Sequence, residues 1–327
     1  MPQTGQTEPT DAVQPGLREY GGRADVSAEP VRELLRPREA NLGSTVVRRL
    51  LPNLGRRMVG AWCFVDHYGP DDIADEPGMQ VPPHPHMGLQ TVSWLHEGEV
   101  LHRDSVGSTQ LLRPRQLGLM TSGRGIAHAE QSAVPHPRLL HGAQLWVALP
   151  DAHRHTAPAF EHHADLPVAT APGLTATVIL GALDGAVSPG STYTPLVGAD
   201  LALTEGADVR LPVEPHFEYA VLTMSGATEV DGVRLDPGSM LYLGSGRAEL
   251  PLRALSDAGL LLLGGEPFEE KIIMWWNLIG RTQEEIAEGR AAWMSGDRFG
   301  TVDGYDGSPL PAPALPTTPL KARGRTR

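Results

Sequence analysis

Short runs of apolar or alternating residues, each closed by Gly, Pro or Asp, fill the chain between its two ends. LQTVSWLHEGEVLHRD (89–104), QLGLMTS (116–122), AQLWVALP (143–150), LTATVILG (174–181), FEYAVLTMSGATEV (217–230) and LLLLGG (260–265) all have strand length and strand composition. The 37 glycines and 30 prolines suit frequent turns better than long helices. One helix is predicted late in the chain. Thr282 and Glu285 have capping-box spacing, and Ile286 and Trp293 then fall on one face, with Arg290 between them. Many short strands and a single late helix predict an all-β protein of sandwich or barrel type.

The two ends break the pattern. Residues 1–25 are rich in Gln, Thr, Pro and Gly and read as a disordered tail, and residues 301–327 read as a Pro-rich, finally basic, solvated tail. Between them the chain repeats itself. SWLHEGEV (93–100) aligns with VLTMSGAT (221–228), with Gly98 over Gly226. LLRPRQLGLMTSGR (111–124) aligns with RLDPGSMLYLGSGR (234–247), with Pro114, Gly123 and Arg124 over Pro237, Gly246 and Arg247. Two copies of one antiparallel unit follow, placed at 26–165 and 166–300.

The repeat isolates a chemical feature. His84 and His86 lie two apart ahead of a strand, and His128 and Glu130 have the same spacing. In a strand, residues i and i+2 share a face, so each pair can aim at one point. In the second copy the aligned residues are Pro212, Glu214, Pro251 and Arg253, so the four ligand-type residues are lost together. Three imidazoles and a carboxylate suit one divalent transition metal, with Fe(II), Mn, Ni, Cu and Zn all admissible. Four ligands leave coordination positions free for a substrate oxygen and O₂.

Other candidates read as ordinary structure. His153, His155, His162 and His163 fall in a polar surface connection. His102 and Asp104 sit on a returning strand and read as surface, with support of the metal ligands from behind as the alternative. Glu97 and Glu99 flank a turn glycine. Cys63 lies in an apolar run and reads as a small buried hydrophobe. Trp275 and Trp276 read as packing residues, as do Met87, Met120 and Phe64, the last three with a pocket-lining alternative. No G-x-S-x-G or phosphate-loop pattern occurs. A net charge of −12 argues against direct nucleic-acid binding. No signal-peptide pattern and no apolar run of about 18 residues occurs, so neither secretion nor a membrane span is expected. A single cysteine is compatible with a cytoplasmic location.

The segments HPHMGLQTVSWLHEGEVLHRDS, MTSGRGIAHAE, HGAQLWVALP and GGEPFEE together resemble the pirin family of the cupin superfamily, from about residue 30 to 300. WWNLIGRTQEEI resembles a bacterial pirin-like subgroup. The resemblance implies a bicupin: two antiparallel, jelly-roll-type β-barrels packed together, the N-terminal one binding a single iron through His84, His86, His128 and Glu130, the C-terminal one without metal. Pirins typically carry Glu where this chain has Gln90, and the expected consequence is loss of a charge near the metal. Some pirin-like proteins are quercetin 2,3-dioxygenases. That implies cleavage of a flavonol-like aromatic substrate with O₂, with Glu130 taking the hydroxyl proton. Other pirins act as redox-responsive regulators through a protein partner, which is the alternative reading.

Overall fold

The computed structural model describes residues 30–42 and 44–326. The expected N-terminal tail, 1–25, lies outside them. The described residues form antiparallel strands and one helix, Gln283–Ser295, as the pattern predicts. No helix among the described residues is long and apolar enough to cross a membrane.

The internal repeat is visible in the sheets. In the first half, Leu117–Thr121, Leu89–Glu97, Leu139–Ala148, Trp62–Asp72 and Thr45–Leu51 stand side by side. A second sheet runs in the order Gln80–His86, Ile126–Gln131, Val100–Asp104, Thr109–Leu112. The second half repeats both orders. Its large sheet runs Met240–Gly244, Glu218–Ser225, Ala258–Gly265, Leu196–Leu203, Leu174–Leu183. Its small sheet runs Asp208–Pro212, Glu249–Ala254, Thr228–Val230, Val233–Leu235. Strands carrying the aligned segments occupy the same places in each half, so each half closes as a barrel of one large and one small sheet.

The chain ends do not stay with the barrels nearest to them in sequence. Glu33–Leu35 adds to the second barrel's large sheet by pairing with Met240–Gly244. Residues 301–326, read from sequence as a solvated tail, run as a strap over the body. Leu310 N–H donates to the Pro83 carbonyl (2.8 Å), Ile272 and Arg323 pair through their backbones, and Arg325 Nη1 meets Glu218 Oε2 at 2.7 Å. The strap holds because it supplies backbone partners to otherwise free strand edges.

The large sheets of the two barrels pack against each other through an apolar layer that includes Trp62, Trp94, Val92, Leu145, Leu222 and Leu261, all at or near 0% exposure. Both indoles find acceptors across the interface: Trp62 Nε1–H donates to the Val197 and Gly264 carbonyls (both 3.1 Å), and Trp94 Nε1–H to Asp200 Oδ2 (3.0 Å). Gly198 allows the close approach, since a Cβ there would stand 2.8 Å from the Trp62 ring. Cys63 belongs to this layer, and burial pushes its thiol well above the ordinary range, so it is the expected inert hydrophobe. A polar seam accompanies the layer. His67 Nε2 lies 3.0 Å from His141 Nε2, Arg48 Nε–H donates to His67 Nδ1 (3.3 Å), and His96 Nε2 stands 3.3 Å from Asp200 Oδ2. Burial, helped by the Arg48 charge and the neighbouring histidines, lowers His67 to about 3 and His141 to about 4.

Helix Gln283–Ser295 starts at Thr282, whose side chain accepts from Glu285 N–H, and stops at Gly296, which is left-handed (φ 81°). Ile286 is fully buried, as its spacing predicts. Trp293 is covered by the strap, with its Nε1–H donating to the Leu310 carbonyl (2.8 Å).

Candidate metal centre and its cavity

The first barrel's small sheet sets the histidines by register. His128 on Ile126–Gln131 pairs directly with His84 on Gln80–His86, and Ile126 pairs with His86. Ring centroids of His84, His86 and His128 are 4.4–4.9 Å apart, and all three side chains are buried. Their ligand nitrogens gather within 4.8 Å of one another. Beyond His86 the chain turns at Gly88 (φ 72°). A side chain there would collide with the Ile279 carbonyl, 2.4 Å from the Cβ position, so only Gly lets the turn lie against the strand Leu278–Gly280.

Each imidazole has its outer nitrogen engaged. His84 Nδ1–H donates to the Pro82 carbonyl (2.9 Å) and His86 Nδ1–H to the Asn277 carbonyl (3.0 Å). His128 Nδ1 meets His102 Nδ1 at 3.5 Å, and His102 Nε2 meets Asp104 Oδ2 at 3.0 Å. With its proton on Nδ1, His86 turns its Nε2 lone pair toward His128 Nε2 across 3.1 Å. Two nitrogens bound at right angles to one ion, each about 2.1 Å from it, would stand about 3.0 Å apart. The residues therefore fit a transition metal. Burial also keeps the imidazoles neutral, as ligands must be: His84 is lowered to about 4, and His86 and His128 fall far below the ordinary range. The donor set suits a single divalent metal.

Glu130 stands slightly apart. A β-bulge falls between His128 and Glu130. The carboxylate groups with His128 and His102 rather than with the three-histidine set. Ser93 Oγ–H donates to its Oε1 (2.8 Å). Burial raises its pKa, and the His102 side and the Ser93 and Gln144 hydrogen bonds oppose that rise. Glu130 nonetheless lines the same cavity as His84 and His86.

That cavity holds about 360 Å³. Phe64 and Trp146, stacked with centroids 4.0 Å apart, form one wall, and Trp146 meets His86 edge-on at 5.0 Å. Arg49 lies over Phe64 (4.4 Å) and makes a two-pronged ion pair with buried Asp66, 2.7 Å on each prong. The lining is completed by Arg38 and Asn41, and by Met274, Trp276, Asn277 and Leu310 from the far end of the chain.

Several expectations change here. His102 and Asp104, read as surface, are 2% and 3% exposed because their strand lies between the histidine strand and another. Burial works to raise Asp104, but hydrogen bonds from His102 and Ser108 outweigh it and hold the carboxylate below its usual range. Trp276 lines the cavity, and so does Phe64, whereas Met87 and Met120 are buried packing residues. Gln90 does not face the centre. Along Leu89–Glu97 it alternates with Ser93, and its amide donates to Thr121 Oγ1 (2.9 Å) and the Ser191 carbonyl (3.1 Å). His153 and His155 are exposed in a turn, but His162 and His163 lie on an edge strand, Ala159–His163, paired with Leu117–Thr121. Ser93, Gln144, Trp146 and Asn277 were not singled out in the sequence. The first three lie on Leu89–Glu97 and Leu139–Ala148, away from the histidine strands, so no sequence spacing links them to the site, and Asn277 acts through its backbone, which no side-chain pattern records.

Comparison with known proteins agrees with the two-barrel architecture. A family model described as Pirin matches residues 44–147, and one described as Pirin C-terminal cupin domain matches residues 198–300. A Pseudomonas aeruginosa protein provisionally named a quercetin 2,3-dioxygenase is 49% identical over 84% of this chain and 87% of its own. A Caulobacter vibrioides pirin-like protein is 38% identical over 84% of this chain and 97% of its own. The crystal structure of a quercetin 2,3-dioxygenase from Acinetobacter baumannii superposes with a TM-score of 0.86 at 43% identity, covering 89% of this chain and 97% of the other. With both halves of the repeat matched in order, and the clustered histidines confined to the first, the chain belongs to the pirin family.

Proposed function

We propose that the protein is a metal-dependent dioxygenase of the quercetin 2,3-dioxygenase type. In this reading His84, His86, His128 and Glu130 hold one iron(II), and a flavonol-like aromatic substrate is cleaved with O₂ in the cytoplasm. The observation that carries the reading is the cavity, with His84, His86 and Glu130 on the same wall system as Phe64, Trp146 and Trp276. A redox-responsive regulator would not need an aromatic-lined space of about 360 Å³ beside its metal. The names of the Pseudomonas and Acinetobacter relatives support the same reaction class.

When bound, the ion supplies a Lewis-acidic, redox-active centre for an ionised hydroxyl and for dioxygen. The chain's own residues do the rest. Phe64 and Trp146 give a flat apolar face for an aromatic ring, and Trp276 adds a third aromatic side chain to the lining. Glu130, its basicity raised by burial, accepts the proton of the substrate hydroxyl. Ser93 keeps the carboxylate oriented while it is charged. The fit to the ion requires Glu130 to close on the three histidines, and the bulge beside it gives the backbone room to do so.

The test is direct. Protein loaded with Fe(II) is mixed with quercetin in air and the flavonol absorbance is followed. Turnover that disappears in His86→Ala is the expected result. A fully loaded protein that leaves quercetin untouched would overturn the reading and favour the regulator acting through a protein partner. Parallel loading with Mn, Ni, Cu and Zn ranks the ions.

A further inference from the structure

The chain of contacts behind His128 has no counterpart at the other two histidines. His84 and His86 lean on backbone carbonyls, which can only accept and so leave no choice of tautomer. His128 instead leans on a second imidazole, which can donate or accept. What decides is Asp104. Its Oδ2 accepts from His102 Nε2–H (3.0 Å), leaving the lone pair of His102 on Nδ1, facing His128 Nδ1 at 3.5 Å. Asp104 is itself fixed, because its Oδ1 accepts from the backbone N–H of Val106 (3.0 Å) and Ser108 (2.9 Å). The His102 ring is clamped by Phe160, stacked at 4.1 Å with planes 11° apart. All three polar side chains are at most 3% exposed, so water cannot substitute for a missing partner.

The geometry points to Asp104 and His102 as positioning residues that act through His128: together they place its proton on Nδ1 and so present its Nε2 to the metal. This rests on the reading of His128 as a ligand. It also separates His102 from the ligand set, although its ring lies close enough to His128 and Glu130 to be counted with them. His102 has Nε2 committed to Asp104 and Nδ1 to His128, and no lone pair is left for an ion.

The substitution Asp104→Asn tests the polarity of the chain. It keeps an acceptor for the Val106 and Ser108 amides but turns an amide donor toward His102. His102 must then accept on Nε2 and donate from Nδ1. That forces His128 to accept on Nδ1 and carry its proton on Nε2, where the ion should bind. In metal-free protein, imidazole ¹⁵N shifts should show the His128 proton on Nδ1 in the wild type and on Nε2 in Asp104→Asn. Titration with Co(II), read by its visible absorption, should show affinity reduced about 10- to 100-fold in Asp104→Asn with a shifted band. Adding His102→Phe to Asp104→Asn removes the opposing donor and should recover part of that affinity. A wild-type His128 protonated on Nε2 would overturn the inference, and this measurement needs no variant to fold. So would Co(II) affinity within twofold of wild type in a folded Asp104→Asn. Loss of all Co(II) binding in a folded His102→Phe would make His102 a ligand and overturn it as well. None of these readouts needs flavonol turnover. A protein inactive on quercetin but with the expected tautomer sinks the proposed reaction and leaves this inference standing.

Discussion

The two barrels share one strand order and differ in what they enclose. The second encloses hydrocarbon: Leu201, Leu211, Leu235, Leu243, Leu250 and Leu262 are among its buried residues, all at 0–2% exposure. The first encloses His84, His86, His102, His128, Asp104 and Glu130, equally buried, with a much smaller apolar cluster beside them. Polar groups taken out of water cost stability unless every one is partnered. Leucines packed to the same density add stability with no such requirement. The same fold therefore serves as a chemical chamber on one side and as a stabilising body on the other, and the chamber can carry its polar interior because it is bolted to the body through Trp62 and Trp94.

The comparison can be broken most severely at the chamber. His86→Ala should take the bound metal from about one per chain to background by elemental analysis, while thermal unfolding of the metal-free protein changes little. A mutant that keeps its metal would show that the chamber is not the site. The body should answer in the opposite way. Leu262→Ala should cost about 2–5 kcal/mol in denaturant unfolding, with metal stoichiometry unchanged in the folded protein. Loss of metal there would mean that the barrels are not separate in function.

A smaller effect is expected in the seam between them. His67 and His141 are lowered to about 3 and about 4, against about 6.5 in an unfolded chain. Below pH 6.5 the unfolded state binds protons that the folded state refuses, so stability falls as pH drops toward about 3 and is fully present above 6.5. Arg48, His96 and Asp200 surround the pair and set this balance. His67→Gln should flatten the acid side of a plot of unfolding free energy against pH, and an unchanged slope would remove the seam from the acid response. The smallest effect should follow Gln90→Glu. That side chain lies on the outward face of its strand, so metal affinity should stay within about twofold of wild type by Co(II) titration. A larger change would mean that the outward face reaches the centre after all.

Much of this was legible in the sequence, and for identifiable reasons. The repeat showed through because turn glycines and prolines are demanded by backbone geometry, so Gly98 and Gly226 persist where the strands around them have diverged. The three histidines showed through because an i, i+2 pair on a strand must share a face. Their contrast with Pro212, Glu214 and Pro251 gave the two barrels different roles. What did not show through was contact between distant segments. His102 and Asp104 read first as surface residues and only second as supports of the metal ligands, because a strand's inner and outer positions cannot be told apart until its neighbours are known. The strap was hidden because Pro-rich sequence without periodicity looks the same whether it is solvated or laid along a groove. Gln90 was placed near the metal by the resemblance, because typical pirins carry Glu there, but strand alternation turns its side chain away.

His86 takes its orientation from the Asn277 carbonyl, 191 positions further along the chain, and Leu310 lines the same cavity. During synthesis, the first barrel's strands leave the ribosome long before these residues do. A nascent chain can thus close its first barrel yet present only an unfinished chamber, so a metal captured early would be held by fewer constraints than one captured after release.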